Sequence, residues 1–282
     1  GTDCKLIIAG DVAQLPPVGS ALSPALDVDV LRSTGFGITS CELRQVIRQS
    51  QGSGVLMNAT AVREQITYGD LSIPSFDLGG YRDIERLSGA DLIETLAGAY
   101  DRCGTDGAIV VVNSNNLANK YNQGIRNRIF AREDEIGSGD IVMVVKNNYY
   151  WLKDEDKNNF IANGDIAEVK RIRRYEDVHG LHFAEMTLFF HDYDLELEAK
   201  VILDTLHSEG PSLSSEKTRE LYFSVISDHP EASTKRKQFE AARDDPYYNA
   251  LQIKFAYAVT CHKSQGGQWE RVFIDQGMFN RN

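Results

Sequence analysis

Phe255-Ala-Tyr-Ala-Val-Thr-Cys-His-Lys-Ser-Gln-Gly-Gly-Gln-Trp269 joins an apolar run to a strongly polar turn. Phe255, Tyr257 and Val259 have the character of a buried strand. The polar cluster then falls at the strand's carboxyl end, where open α/β sheets bind their ligands. Thr260, His262 and Ser264 alternate, so an extended backbone would present them on one face, able to donate to phosphate oxygens. Gly266 and Gly267 carry no Cβ where a backbone must turn or approach a ligand. An ordinary strand-to-helix turn fits the same residues, and the stretch alone leaves both readings open.

At 282 residues the chain is long for one core and suits two domains, or one domain with an insertion. With 42% hydrophobic and 25% charged residues it has the composition of a folded protein. A net charge of −11 argues against indiscriminate binding to duplex nucleic acid, yet leaves room for a local basic groove. Cys4, Cys41, Cys103 and Cys261 are widely spaced without a CxxC pair, which predicts reduced thiols and neither a zinc site nor a disulfide framework. His179 and His182 have no companion pattern that completes a metal set. No apolar run reaches membrane-spanning length and no signal peptide opens the sequence, so the expectation is a soluble, cytoplasmic protein with no membrane partner.

Upstream, Lys5-Leu-Ile-Ile-Ala-Gly-Asp11 reads as a short buried strand, and Ile38 to Gln49 as a strand passing into a polar turn. Helical spacing runs through Asn58 to Tyr68 and Ala90 to Arg102. Ala108 to Asn113 is a buried strand. The helix after it carries Leu117, Tyr121, Ile125 and Ile129 on one stripe, capped by Ser114 or Asn113. Strand–helix–strand order predicts an α/β fold. Near residue 139 the character changes. Four strand candidates follow, at 140–145, 164–169, 182–190 and 195–203, with Asn163-Gly164 as a turn signal. They predict a small antiparallel barrel inserted into the α/β domain. A polar, helix-prone stretch over 214–245 leads back to one strand at 252–260.

Two further segments could carry chemistry. In Gly10-Asp11-Val-Ala-Gln14-Leu-Pro-Pro-Val18, Asp11 could hold a metal-bound water or orient a loop, and Gln14 offers both a donor and an acceptor. A stiff proline loop with a solvated glutamine fits equally well. In Cys41-Glu-Leu-Arg44-Gln-Val-Ile-Arg48-Gln49, Arg48 suits a phosphate clamp, while Arg44 is as readily a salt bridge.

Taken together and in this order, the three segments resemble the superfamily 1 helicases of the 5′-to-3′ branch, the RecD-like (exodeoxyribonuclease V alpha) and Dda-like enzymes. Gly10 to Val18 looks like motif III, Leu43 to Gln49 like motif IV and Phe255 to Trp269 like motif V. The resemblance implies an α/β, RecA-like parallel sheet with an inserted SH3-like barrel, the latter beginning near Asn163-Gly-Asp165. It implies the first RecA-like domain over 1–36, the second over 37–138 and 251–282, the barrel over 139–210 and a connection over 211–250. By the same resemblance Gln14 and Arg48 sense the γ-phosphate beside Asp11, and Gly10, Gln49, Gly266 and Gln268 line the nucleotide. Thr260, His262, Lys263, Ser264, Asn113 and Arg126 face single-stranded DNA. ATP with Mg²⁺, single-stranded DNA, and other repair or recombination subunits are the implied partners.

The departures are specific. No GxxxxGK[ST] sequence occurs, the acidic Mg²⁺ motif and the C-terminal arginine motif are missing, and Gln268 stands where the family has glutamate. The expectation is therefore a motor fragment that does not hydrolyse ATP alone. Further strand contacts are expected from Lys120, Lys146, Tyr149, Tyr150 and Trp151, although the aromatic run equally suits barrel core. Lys170, Arg171, Arg173 and Arg174 form the densest basic run. The competing reading is a non-enzymatic nucleic-acid or protein binding module that uses the barrel. A nuclease finds little support, because no carboxylate set has metal spacing.

Overall fold

The computed structural model describes residues 5–17, 19–20, 22–35, 37–43, 52–152 and 160–277. Two compact units divide the chain, Gly1–Gly89 and Ala90–Asn282. In the first, helix α1 (Val28–Ser33) starts at Asp27, whose carboxylate accepts from the Asp29 and Val30 N–H groups. Helix α2 (Gly54–Tyr68) starts at Ser53, which accepts from Leu56 N–H at 3.1 Å, and ends on Gly69 in the left-handed conformation. Asp83 clasps this start from across the unit, taking Gly54 N–H at 2.8 Å and the Ser53 hydroxyl at 2.6 Å.

Lys5 to Gly10 is not the expected strand. Leu6 and Ile7 are 83% and 90% exposed, and the segment joins no sheet among the described residues. An apolar run has strand character, but a strand also needs a neighbour for its N–H and C=O groups. Residues 38–43 likewise form no strand, and the rest of that segment lies outside the described residues.

The second unit opens with α3 (Leu92–Cys103), β1 (Ala108–Val112) and α4 (Asn115–Arg128). All five β1 residues are buried, as in a parallel strand covered on both faces. Ser114 caps α4 by accepting from Leu117 N–H at 3.3 Å. The barrel strands follow: β2 (Ile141–Val144), β3 (Ile166–Val178), β4 (Leu181–Phe190) and β5 (Leu195–Ile202). Helices α5 (Ser215–Ser227) and α6 (Lys235–Asp244) come next, then β6 (Leu251–Phe255) and β7 (Ala258–Thr260), the helical turn α7 (Cys261–Ser264) and β8 (Arg271–Ile274).

Strands β2 to β6 close a five-stranded barrel, antiparallel except where β5 meets β6. Val142, Val144, Ala167, Val169, Met186, Leu188, Val201 and Ile253 are fully buried within the main core. Inward and outward residues alternate along β5 only in its first half. Beyond Ala199 every residue is buried, because the outer face there joins a second core with Leu221 and Val225 of α5. The other sheet, in order β7-β1-β8, is entirely parallel.

The stretch expected as one strand over 252–260 is two strands in two sheets. β6 closes the barrel, the chain bends at Ala256-Tyr257, and β7 joins the parallel sheet. Asn122 of α4 stabilises this crossing. Its Nδ2 donates to the carbonyls of Phe255 and Ala258 at 3.0 Å, and its Oδ1 accepts from Ala258 N–H at 2.7 Å. Those backbone groups would otherwise be buried without partners. Tyr257 points the other way, its hydroxyl donating to Asp140 at 2.9 Å.

Candidate nucleic-acid interface

The parallel register sets Val112 beside Thr260, so Asn113 emerges next to the polar turn. Cys261 ties the two together, its thiol donating to the Val112 carbonyl at 3.3 Å. Asn113 and His262 are exposed, Thr260 is half-buried at the end of β7, and all sit at the carboxyl end of the sheet. The expected extended arrangement of Thr260, His262 and Ser264 is replaced by the helical turn α7. At about 100° per residue, His262 is swung away from the other two. Ser264 spends its hydroxyl on the Cys261 carbonyl at 3.0 Å. Lys263 has no carboxylate partner among the described residues; its ammonium donates to the side-chain oxygen of Asn163 in the barrel. Burial pushes its pKa down, since a cation with only a neutral amide beside it is poorly solvated.

The two glycines have distinct physical reasons. Gly266 adopts φ of +84°, a left-handed conformation that other residues rarely take. Gly267 packs beneath the indole of Trp269, where a Cβ would come within 1.9 Å of Cη2. Gln268 is exposed.

Arg126 belongs elsewhere. It is 4% exposed and points inward, its Nε and Nη2 donating to Asp140 at 3.1 and 3.0 Å and Nη2 also to the Asp134 carbonyl at 2.7 Å. Its guanidinium lies over Phe255, 4.3 Å from the ring centroid. Arg132, Gly137 and Tyr257 complete the shell around Asp140. Burial acts to raise the Asp140 pKa, but the hydrogen bonds from Arg126 and Arg132 outweigh it and hold the carboxyl below its ordinary 3.8. Arg126 is thus a core cation that fastens α4 to the barrel entrance, and no phosphate can reach it.

Three of the four residues in the densest basic run are also spoken for. Lys170 pairs with Glu168 at 2.7 Å, Arg173 with Glu198, and Arg174 with Glu185 at 2.7 Å. Of the aromatic run, Trp151 donates from Nε1 to the Asn249 carbonyl at 2.8 Å and packs on the core, and Tyr150 donates to the Asp244 carbonyl at 3.3 Å. Tyr149 alone stays exposed.

In the first unit, Gly10 packs against the Leu26 side chain. Asp11 turns the following loop by accepting from Ala13 N–H at 3.0 Å, and its other oxygen takes Arg63 at 2.6 Å. The Arg63 hydrogen bond holds its carboxyl below the usual range, with Gln14 adding a further side-chain hydrogen bond. Arg63 was invisible to spacing, lying 52 residues away. Arg48 and Gln49, with Arg44, lie outside the described residues. Among the described residues no group of three or more His, Cys, Asp or Glu could hold a metal ion, and no helix is long and apolar enough to cross a membrane. Both Asp11 oxygens are engaged and no phosphate-cradling P-loop sequence exists.

No curated protein matches the chain. Residues 255–281, the segment from the end of β6 through α7 and β8, match the family described as UvrD-like helicase C-terminal domain, which supports a superfamily 1 helicase.

Proposed function

We propose that the chain is part of the motor of an ATP-dependent DNA helicase that moves 5′-to-3′ on single-stranded DNA, and that it grips the strand. The observation that carries this reading is that Asn113 emerges beside Thr260, His262 and Lys263 at the carboxyl ends of β1 and β7, the last three inside a segment matching a helicase domain. Nucleic-acid backbones are held by amide, imidazole and ammonium donors arranged in this way. In this reading the parallel sheet belongs to the second RecA-like domain, expected over 37–138 and 251–282, and the barrel expected over 139–210, which β6 (Leu251–Phe255) completes, is SH3-like. Residues 211–250 connect them, and 1–36 belong to the first RecA-like domain. Gln14 and Arg48 report the state of the γ-phosphate. The P-loop comes from outside these 282 residues, so the chain alone does not hydrolyse ATP. The 5′-to-3′ direction rests on the resemblance of the three motifs.

Two measurements test the reading. The chain should bind a fluorescein-labelled oligothymidylate by anisotropy, and His262→Ala with Lys263→Ala should weaken it; indifference to both removes the assigned grip. A polypeptide that also carries a P-loop should show DNA-stimulated ATPase activity, and activity undiminished by Gln14→Ala and Arg48→Ala would remove the sensor roles. A second reading, a non-enzymatic binding module, is favoured by one feature. A groove of about 480 Å³ beside the barrel is lined by Lys146, Arg219, Tyr222, Phe223 and Tyr248. Binding that depends on Arg219 and Tyr222 while ignoring Lys263 selects it.

A further inference from the structure

Tyr149 and Phe160 are 67% and 39% exposed, yet their rings stack on one another, 5.1 Å between centroids and 26° apart in plane. Water-exposed aromatic faces are costly unless something covers them. Their backbone is not loose. Asn148 and Ile161 exchange a pair of backbone hydrogen bonds at 2.9 and 2.8 Å, which sets Tyr149 and Phe160 side by side. The buried Asn148 side chain donates to the Asn249 carbonyl at 2.7 Å and accepts from the Tyr150 N–H at 3.0 Å. The rings therefore stand on an anchored step at the end of the barrel.

That step connects to the polar turn. Lys263 donates to Asn163 Oδ1; Asn163 N–H donates to Asn147 Oδ1 at 2.7 Å; and Asn147 Nδ2 reaches the Tyr149 hydroxyl at 3.5 Å. Three polar contacts thus lead from the ammonium to the stacked rings, with Asn163 as the hinge between the two. Lys263 has only a neutral amide for company, so an incoming phosphate would improve its surroundings. Trp151 and Tyr150 are committed to the backbone beneath, which leaves Tyr149 as the ring with a free face.

We propose that Tyr149, backed by Phe160, is a stacking platform for one base of a single strand whose adjacent phosphate is held by Lys263, with Asn163 positioning that lysine. The proposal rests on the strand-gripping reading above and extends it from the parallel sheet onto the barrel. Stacking on an aromatic ring tolerates any base, whereas the phosphate contact carries the salt dependence.

The test uses the 282-residue chain and labelled single-stranded oligothymidylate of about 15 nucleotides, with an abasic strand of equal length as control. Tyr149→Ala should weaken binding of the normal strand roughly tenfold. Tyr149→Phe should bind as the parent does, and the abasic strand should not distinguish Tyr149→Ala from the parent. The slope of log affinity against log salt should stay unchanged in Tyr149→Ala and become shallower by about 0.7 in Lys263→Ala. Normal-strand binding indifferent to Tyr149→Ala overturns the platform and leaves the grip standing, as does an equal loss with the abasic strand. A parent chain that binds neither strand removes both.

Discussion

Asp140 is where the barrel, α4 and the β6–β7 crossing meet, and replacing it with alanine should be the most damaging single change in the second unit. Its carboxylate is fully buried and accepts five hydrogen bonds, from Arg126 Nε and Nη2, Arg132 Nη1, Gly137 N–H and the Tyr257 hydroxyl. Asp140→Ala leaves the Arg126 charge, itself 4% exposed, buried without a counter-ion. Breaking one side of such a pair costs about 3–5 kcal/mol. The chain's two tryptophans, Trp151 and Trp269, both lie in this unit, so their fluorescence during urea unfolding reports on it alone. With a slope of about 2 kcal/mol per molar urea, the midpoint should fall by roughly 2 M. Asp140→Leu with Arg126→Met removes both charges and should recover most of the loss. A depressed carboxyl pKa stabilises the fold above the unfolded value of 3.8 and loses that contribution as pH falls through the folded value. The parent should therefore lose stability more steeply than Asp140→Asn below pH 3.8. A midpoint for Asp140→Ala within about 0.5 M of the parent would refute the assignment of Arg126 to the core.

Three other changes probe separate links. Asn122→Ala strands the carbonyls of Phe255 and Ala258 and should cost about 2–4 kcal/mol, read as a lowered unfolding midpoint; an unchanged midpoint means the crossing is held by other contacts. Gly267→Ala forces the Trp269 indole from its seat, so the emission should shift to the red and strand binding should weaken. Lys254 is buried, donates to the Ser208 carbonyl, and has its pKa pushed down by burial to about 8. The folded state resists a proton the unfolded state accepts, so stability should rise between pH 8 and 10.5, and Lys254→Met should flatten that rise.

Much of the architecture was legible in local pattern. The cap and stripe of α4, the buried β1, the Asn163-Gly164 turn and the barrel strands β2, β4 and β5 follow from periodicity and turn chemistry, whereas β3 runs on to Val178 and β6 was not expected in the barrel. What stayed hidden was non-local. Phe255 and Val259 look alike in sequence, yet one pairs with Val142 of the barrel and the other with Val111 of the parallel sheet. Nothing local marks where a strand changes partners. The resemblance set Arg126 against the nucleic-acid strand, and the buried Asp140, which local pattern does not show as its partner, draws it inward. The basic run from Lys170 lost its apparent meaning in the same way, when strand pairing brought Glu185 and Glu198 within reach. In the polar turn the residue types were informative and the assumed backbone was not. Coiling at Cys261 re-aims His262 and Lys263, and the latter finds Asn163, 100 residues earlier.

Amide hydrogen exchange of the chain, with and without saturating single-stranded oligonucleotide, tests the central claim most directly. The account predicts new protection at 259–267, at 112–115 and around 147–149, where the polar turn, the end of β1 and the aromatic step lie together. Protection confined to α5 and the groove near Arg219, with 259–267 unchanged, would contradict it.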